Sequence, residues 1–477
     1  MDKKNTMRKY GTGLLALLLL STTLWGQKQA LPTKQQLDWH ELEFYWFIHF
    51  GPNTFTDKEW GHGDESVDIF NPTALDCKQW ARVAKQSGAK GIILTAKHHD
   101  GFCLWPSQYS THTVRESKWR DGQGDIVKEL MQACKENGLK FGIYLSPWDR
   151  NHPQYGTAAY NDVYVNTMKE LISKYGPFFE FWWDGANGEG PNGKRQEYDF
   201  HRYERTIREL APNTVVFSDI GPDVRWVGNE SGIAGTTNWN YLDTAGFKRG
   251  AGSPPTDTLN RGNMYGRNWI PAECDVSIRP GWFYHKEEDD KVKSANQLFD
   301  LYLKSVGRGA NFLLNVPPDR RGLIHEADST ALIGFEKLLR ENFADNLALK
   351  ARKELHYKMV VYKRDNFADG DPKTTESVNE YKSASFWLKF GAETRINCIV
   401  LSENLEQGQQ VAKGKVVLVN GTQEVKEIPF TTIGRKRILT FPSQTVTAVR
   451  LLIEDAKGTP VLSEVGAYLI NENLIEK

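Results

Sequence analysis

The chain has 477 residues, 60 Lys+Arg against 60 Asp+Glu, and a formal net charge of zero. That balance argues against a general nucleic-acid binder, which needs a basic face to displace counterions from phosphates. A hydrophobic share of 39% and 25% charged residues suit a soluble globular protein of two folded domains, but an aromatic share of 12% stands out. Large cores bury such rings. So do proteins that handle sugars, whose apolar C–H faces stack on aromatic planes.

Taken in chain order, residues 1–26 read as a signal peptide. Lys3, Lys4, Arg8 and Lys9 form a basic start, an apolar run extends from Gly11 to Leu20, and small residues precede Gln27. The run is shorter than the roughly 20 residues of a membrane span, and no Cys follows it to carry a lipid. Cleavage removes four basic residues and Asp2, leaving a net charge of about −3. The expected product is exported, and a bacterial-type signal favours the periplasm over secretion.

Strand-like runs lie at 44–50, 91–95, 139–145, 178–183, 214–220 and 312–316. Helical patterns lie at 125–136, 161–174, 295–306 and 332–339; in the first, Ile126, Val127, Leu130, Met131 and Cys134 form one stripe behind a capping Asp125. Such alternation predicts an α/β fold, a parallel sheet closed as a (β/α)8-like TIM barrel over 27–345. The stretch 221–290 is rich in Gly, Pro and Trp and leaves strands six and seven unlocated; long functional loops are expected there.

Beyond residue 345 the runs are short, β-rich and separated by turns, which predicts a C-terminal β-sandwich over 346–477. Trp387 sits in an alternating strand and is read as core. The sandwich is read as a structural annex in preference to a sugar-binding module. The five cysteines are odd in number and widely spaced. One disulfide fits them; a disulfide scaffold or a Cys/His zinc site does not.

Polar residues cluster just after the predicted strands, where a barrel builds its site. These are His49 after the first, with Glu59-Trp60 following; Lys97-His98-His99-Asp100-Gly101-Phe102 after the second; Tyr144 in the third; and Trp182-Trp183-Asp184-Gly185 after the fourth. His98, His99 and Asp184 could be metal ligands. Adjacent histidines on an extended segment point to opposite sides, however, so no metal and no cofactor is expected. Hydrolysis of a glycoside with retention fits better, since it needs two carboxyl groups, hydroxyl-binding polar groups and an aromatic wall. Asp184 is placed as a nucleophile would be; the alternative is a helix cap after the strand.

The segments 46–50 and 55–60, Lys97–Phe102, Phe181-Trp182-Trp183-Asp184-Gly185 and Asn311-Phe312-Leu313-Leu314-Asn315-Val316 together resemble the α-L-fucosidases of glycoside hydrolase family 29. The resemblance covers about residues 35–345. It implies a retaining, metal-independent enzyme with a barrel and a β-sandwich. By motif, Asp184 resembles the nucleophile. His49, Glu59, Trp60, His98 and His99 resemble residues that hold the fucose hydroxyls, and Tyr144, Trp182 and Arg225 resemble further sugar contacts. Trp282 resembles the ring near the fucose methyl group.

Residues 221–230 resemble the subfamily that acts on α-1,3/1,4-linked fucose in branched oligosaccharides, which makes Glu230 the acid/base. Glu273 is the rival, and it could instead pair with Arg279. The acid is expected to sit among apolar groups, so that a neutral carboxyl persists at the working pH. The implied partner is a fucosylated oligosaccharide or glycoconjugate, with no nucleic acid and no membrane span; oligomeric state is not assigned. A retaining glycosidase for another sugar and a non-catalytic fucose-binding protein are the alternatives.

Overall fold

The computed structural model describes residues 29–475, and the signal peptide assigned to 1–26 lies outside them. Eight parallel strands close into a barrel: β1 (Phe44–Ile48), β2 (Gly91–Lys97), β3 (Lys140–Leu145), β4 (Glu180–Trp182), β5 (Val215–Ser218), β6 (Val224–Trp226), β7 (Ala272–Ser277) and β8 (Asn311–Asn315). Each pairs with its neighbours in chain order, and β8 closes onto β1. All C-terminal strand ends therefore open on one face.

Helices Cys77–Gln86, Ile126–Asn137, Tyr160–Tyr175, Phe200–Leu210, Ala295–Lys304 and Glu326–Asn342 surround the strands. Asp76, Asp125 and Asp199 each cap a helix by accepting the N–H of the residue three positions on. The stripe Ile126, Val127, Leu130 and Cys134 is buried, as the sequence periodicity requires.

Strand residues alternate between lumen and helix layer. Tyr45, Phe47, Ile93, Tyr144, Trp182, Val215, Phe217, Val224 and Leu313 fill the lumen, closed below by Trp39. Trp46, Ile92, Ile143, Phe181, Val216 and Leu314 pack under the helices.

The two strands unlocated from sequence are β6 and β7. No helix separates β5 from β6: residues 219–223 alone return the chain, so Val224 of β6 pairs with Phe217. Between β6 and β7 the chain makes an excursion carrying an antiparallel pair, Tyr241–Leu242 with Asn268–Trp269, and the short helix Thr256–Arg261.

The last helix of the barrel ends at Asn342, and an antiparallel β-sandwich begins with strand Arg352–Tyr357. Two of its strands, Ala384–Glu403 and Arg437–Ala456, are 20 residues long and break register against each other. The sequence shows each as two short strands because those irregularities interrupt the alternation.

Phe386, Leu388, Ile396, Leu401, Val416 and Leu451 form part of the sandwich core. Trp387 is not core: it lies on the opposite face, with Arg450 and Lys389 over its ring at 5.3 and 5.6 Å. Lys436 to Glu43 (2.6 Å) and Asn238 N–H to Thr432 Oγ1 (2.9 Å) tie the sandwich to the barrel. All five cysteines are buried and unbridged.

Candidate active site

The strand ends bring most of the expected residues together. Asp184 follows β4 and is held from three sides. The Tyr144 hydroxyl donates to Oδ2 at 3.0 Å, the Ala186 N–H donates to Oδ1 at 2.7 Å, and His99 Nε2 stands 3.6 Å from Oδ2. Its helix-capping alternative fails, since Asp199 caps the next helix. A quarter of the Asp184 side chain is exposed (25%). Burial, then the Asp184 charge, pushes the Tyr144 phenol well above its ordinary value, so it stays a hydrogen-bond donor.

His49, His98 and His99 form a ring cluster with Tyr144. His49 Nδ1 meets Asn315 Oδ1 at 2.9 Å, and His99 Nδ1 meets Ser146 Oγ at 2.7 Å. Burial lowers the pKa of all three, that of His49 to about 3 and His98 well below its usual range; the Asp184 charge offsets part of the loss at His99. Neutral imidazoles both donate and accept, which suits sugar hydroxyls.

The chain of β2 is fixed from behind. Lys97 Nζ reaches Asp149 Oδ2 at 2.7 Å, with both side chains buried, and Tyr160 at 2.9 Å. Gly101 takes φ +84°, and a Cβ there would meet Asp149 Oδ1 at 2.4 Å. Only glycine lets the chain turn so close to this pair.

The aromatic wall has a floor and a rim. Trp182 stacks on Phe217 at 4.0 Å and tilts against Tyr144 at 5.4 Å. Trp60 is 58% exposed and meets His99 and Trp148 edge-on at 6.0 and 5.7 Å. Trp282 lies 5.2 Å from His49.

Glu59 does more than face the pocket. Its carboxylate accepts the N–H groups of Trp282 (2.8 Å) and Phe283 (3.2 Å), and His285 Nε2 at 2.6 Å. It thereby clamps the loop after β7 that carries Trp282. Burial lowers the pKa of His285, but hydrogen bonds to Glu59 and Asp57 outweigh it and the net shift is upward.

Three expectations need correction. Arg225 does not face the pocket. On β6, Val224 and Trp226 point inward, and Arg225 points outward and is fully buried. Its guanidinium donates to the carbonyls of Leu259 (2.8 Å), Trp239 (3.1 Å) and Ile270, and to Asn238 Oδ1 (3.1 Å). It staples the excursion between β6 and β7, and burial lowers its pKa to about 9.

Glu273 does not pair with Arg279, which binds Asp328 and Asp289. It lies in the barrel lumen, where Trp182 Nε1 donates to Oε1 at 2.8 Å and Tyr45 donates to Oε2. Glu230 does stand beside the pocket, 3.3 Å from Trp282 Nε1, but it is exposed. The apolar enclosure expected around the acid is absent.

Sequence reasoning missed Asp275 on β7. It is buried, receives Trp226 Nε1 at 2.9 Å, and is pushed well above the carboxylate range by burial, then by the Glu230 and Glu273 charges. The spacing Glu273-Cys274-Asp275, with alternate acids facing inward, could have signalled it. Among the described residues no group of three or more His, Cys, Asp or Glu is arranged to hold a metal ion.

A parallel barrel whose strand ends gather a pinned carboxylate, neutral imidazoles and indole rings defines a carbohydrate-processing site. The sequence matches the family model described as alpha-L-fucosidase over residues 24–344. It is 43% identical over 452 residues to alpha-L-fucosidase 1 of Arabidopsis thaliana, covering 92% of this chain and 87% of that protein. A glycoside hydrolase 29 family member from an unknown rumen bacterium superposes with a TM-score of 0.82 at 40% identity, covering 93% of this chain and 78% of the other. A glycoside hydrolase 29 fucosidase of Ruminococcus gnavus in complex with fucose gives 0.83 at 30% identity, covering 94% and 96%. The chain belongs to the alpha-L-fucosidase family, glycoside hydrolase family 29.

Proposed function

We propose that this alpha-L-fucosidase removes terminal α-1,3/1,4-linked fucose from branched oligosaccharides or glycoconjugates, with retention, after export to the periplasm. The observation that carries the chemistry is the Asp184 carboxylate, aimed by Tyr144, Ala186 N–H and His99 at a partly open pocket. Asp184 attacks the anomeric carbon as the glycosidic C–O bond breaks, and Glu230 gives its proton to the leaving oxygen. Water then attacks the fucosyl ester, Glu230 takes the water proton, and Asp184 is released as a carboxylate.

His49, His98, His99 and Glu59 hold the hydroxyls. Trp182 and Trp282 supply apolar contact for a 6-deoxy sugar, whose methyl edge gains by burial. The related R. gnavus enzyme in complex with fucose supports fucose as the bound sugar. Exposure of Glu230 beside Trp282 suits an acid that must reach a leaving group extending into solvent.

A panel of α-1,2, α-1,3, α-1,4 and α-1,6 fucosylated oligosaccharides, with and without a branching galactose, tests the specificity. Preferred release from the branched α-1,3/1,4 members supports it. Preferred release from α-1,2 or α-1,6 members overturns it. For the acid/base, azide should rescue Glu230→Ala on an activated fucoside; rescue of Asp275→Ala instead would move the role there.

A further inference from the structure

Two carboxyl groups lie deep in the barrel lumen with no role in the chemistry above. Glu180 on β4 and Glu273 on β7 are both 0% exposed. Burying two ionised carboxylates side by side is prohibitive, and such a pair keeps a proton. The donors around the pair place it. Trp39 Nε1 donates to Glu180 Oε2 at 2.9 Å, Tyr45 donates to Glu273 Oε2, and Trp182 Nε1 donates to Glu273 Oε1 at 2.8 Å. Three of the four oxygens have donors.

The fourth, Glu180 Oε1, is buried and receives none from any other residue. The two carboxyl groups lie within hydrogen-bonding reach of each other, so a proton held between them completes the set.

We propose that Glu180 and Glu273 share one proton as a carboxylic acid–carboxylate pair, and that Glu273 thereby acts as a positioning residue for Trp182 in the pocket floor. The proposal rests on the reading of Trp182 as a sugar contact. Trp182 has one polar atom, and Glu273 is its acceptor. The stack on Phe217 fixes the ring plane, and this hydrogen bond fixes its rotation within that plane.

The titratable groups facing the pair in the lumen are Tyr45 on β1 and Asp275 on β7, and no cation stands among the leading influences on either carboxyl. Burial is the leading cause that raises both carboxyls above their ordinary range. A raised carboxyl stabilises the fold below its unfolded value, and that stability is lost as pH rises through the folded value. The lumen should therefore weaken on the alkaline side.

Glu273→Gln carries the same net charge as the pair but no shared proton: its amide oxygen still accepts from Trp182, its NH2 donates to Glu180, and Tyr45 turns its hydroxyl from the new amide to the Glu180 carboxylate. Glu273→Leu keeps the bulk and removes the acceptor. Three readouts separate the outcomes. The wild-type-minus-Glu273→Gln infrared difference spectrum should carry a carboxylic C=O band of one group at about pH 6. The wild-type Tm should fall relative to Glu273→Gln between about pH 6 and about pH 9. On a fucoside, Glu273→Leu should lose about tenfold in kcat/KM, while Glu273→Gln stays within about threefold of wild type.

Identical infrared spectra, or a Tm difference independent of pH, would overturn the shared proton. Equal activity loss in Glu273→Gln and Glu273→Leu would overturn the positioning role. A wild type that turns over no fucoside would instead sink the proposed function, while the infrared and Tm comparisons still decide the shared proton.

Discussion

The hydroxyl of Tyr144 donates to Asp184 Oδ2 at 3.0 Å, across from β3 to the end of β4. One register step sets this contact, because Tyr144 and Trp182 are paired neighbours on adjacent parallel strands. Tyr144 therefore aims a carboxylate two residues beyond its own partner. Tyr144→Phe removes the donor and leaves the ring stack in place. A hydrogen bond to a charged group is worth about 1.5–3 kcal/mol, so kcat/KM should fall about 10- to 100-fold with little change in Tm. Steady-state kinetics beside thermal unfolding check this.

The Glu59–His285 contact should make sugar affinity pH-dependent. Hydrogen bonds to Glu59 and Asp57 raise the His285 pKa above its ordinary value despite burial. The stabilisation from the protonated ring is complete below the unfolded value of about 6.5 and is lost as pH rises through the raised folded value. The loop carrying Trp282 should loosen above that point. The wild-type KM for a fucoside should climb with pH over this range, whereas His285→Gln should show a flat, higher KM. Parallel KM profiles would contradict this.

Arg225 is a structural staple. Arg225→Met leaves several buried carbonyls without a donor, each at about 1–3 kcal/mol, so denaturant unfolding should show a loss of at least about 3 kcal/mol. The KM of the folded fraction should stay within about twofold of wild type. A large rise in KM at unchanged stability would show that the guanidinium reaches the sugar after all.

The sequence exposed the barrel where its rules are simple. Strands β1 to β5 and β8 are apolar runs bounded by turns, and helix Ile126–Asn137 announces itself by its stripe and its Asp125 cap. It hid β6 because Val224–Trp226 carries Arg225 at its centre in place of an apolar run and no helix precedes it. It hid β7 because Ala272–Ser277 places Glu273 and Asp275 toward the lumen, which reverses the usual apolar signal. A lumen that buries acids against Tyr45, Trp182 and Trp226 cannot be read from hydrophobicity.

The same gap misplaced Arg225 and Glu273. Without the register of β6 and β7, nothing says which residues face inward. The residues following the earlier strands were legible, since each polar group stands immediately after an apolar run.

On the proposed mechanism Asp184 forms the covalent bond to the sugar. Incubation with a mechanism-based fluorinated fucosyl reagent, followed by digestion and peptide mass spectrometry, tests this bond. One fucosyl adduct on the peptide containing Trp182-Trp183-Asp184-Gly185, with matching loss of activity and no adduct in Asp184→Asn, is the predicted result. An adduct on another carboxylate, or none from an enzyme that turns over fucosides, would contradict it.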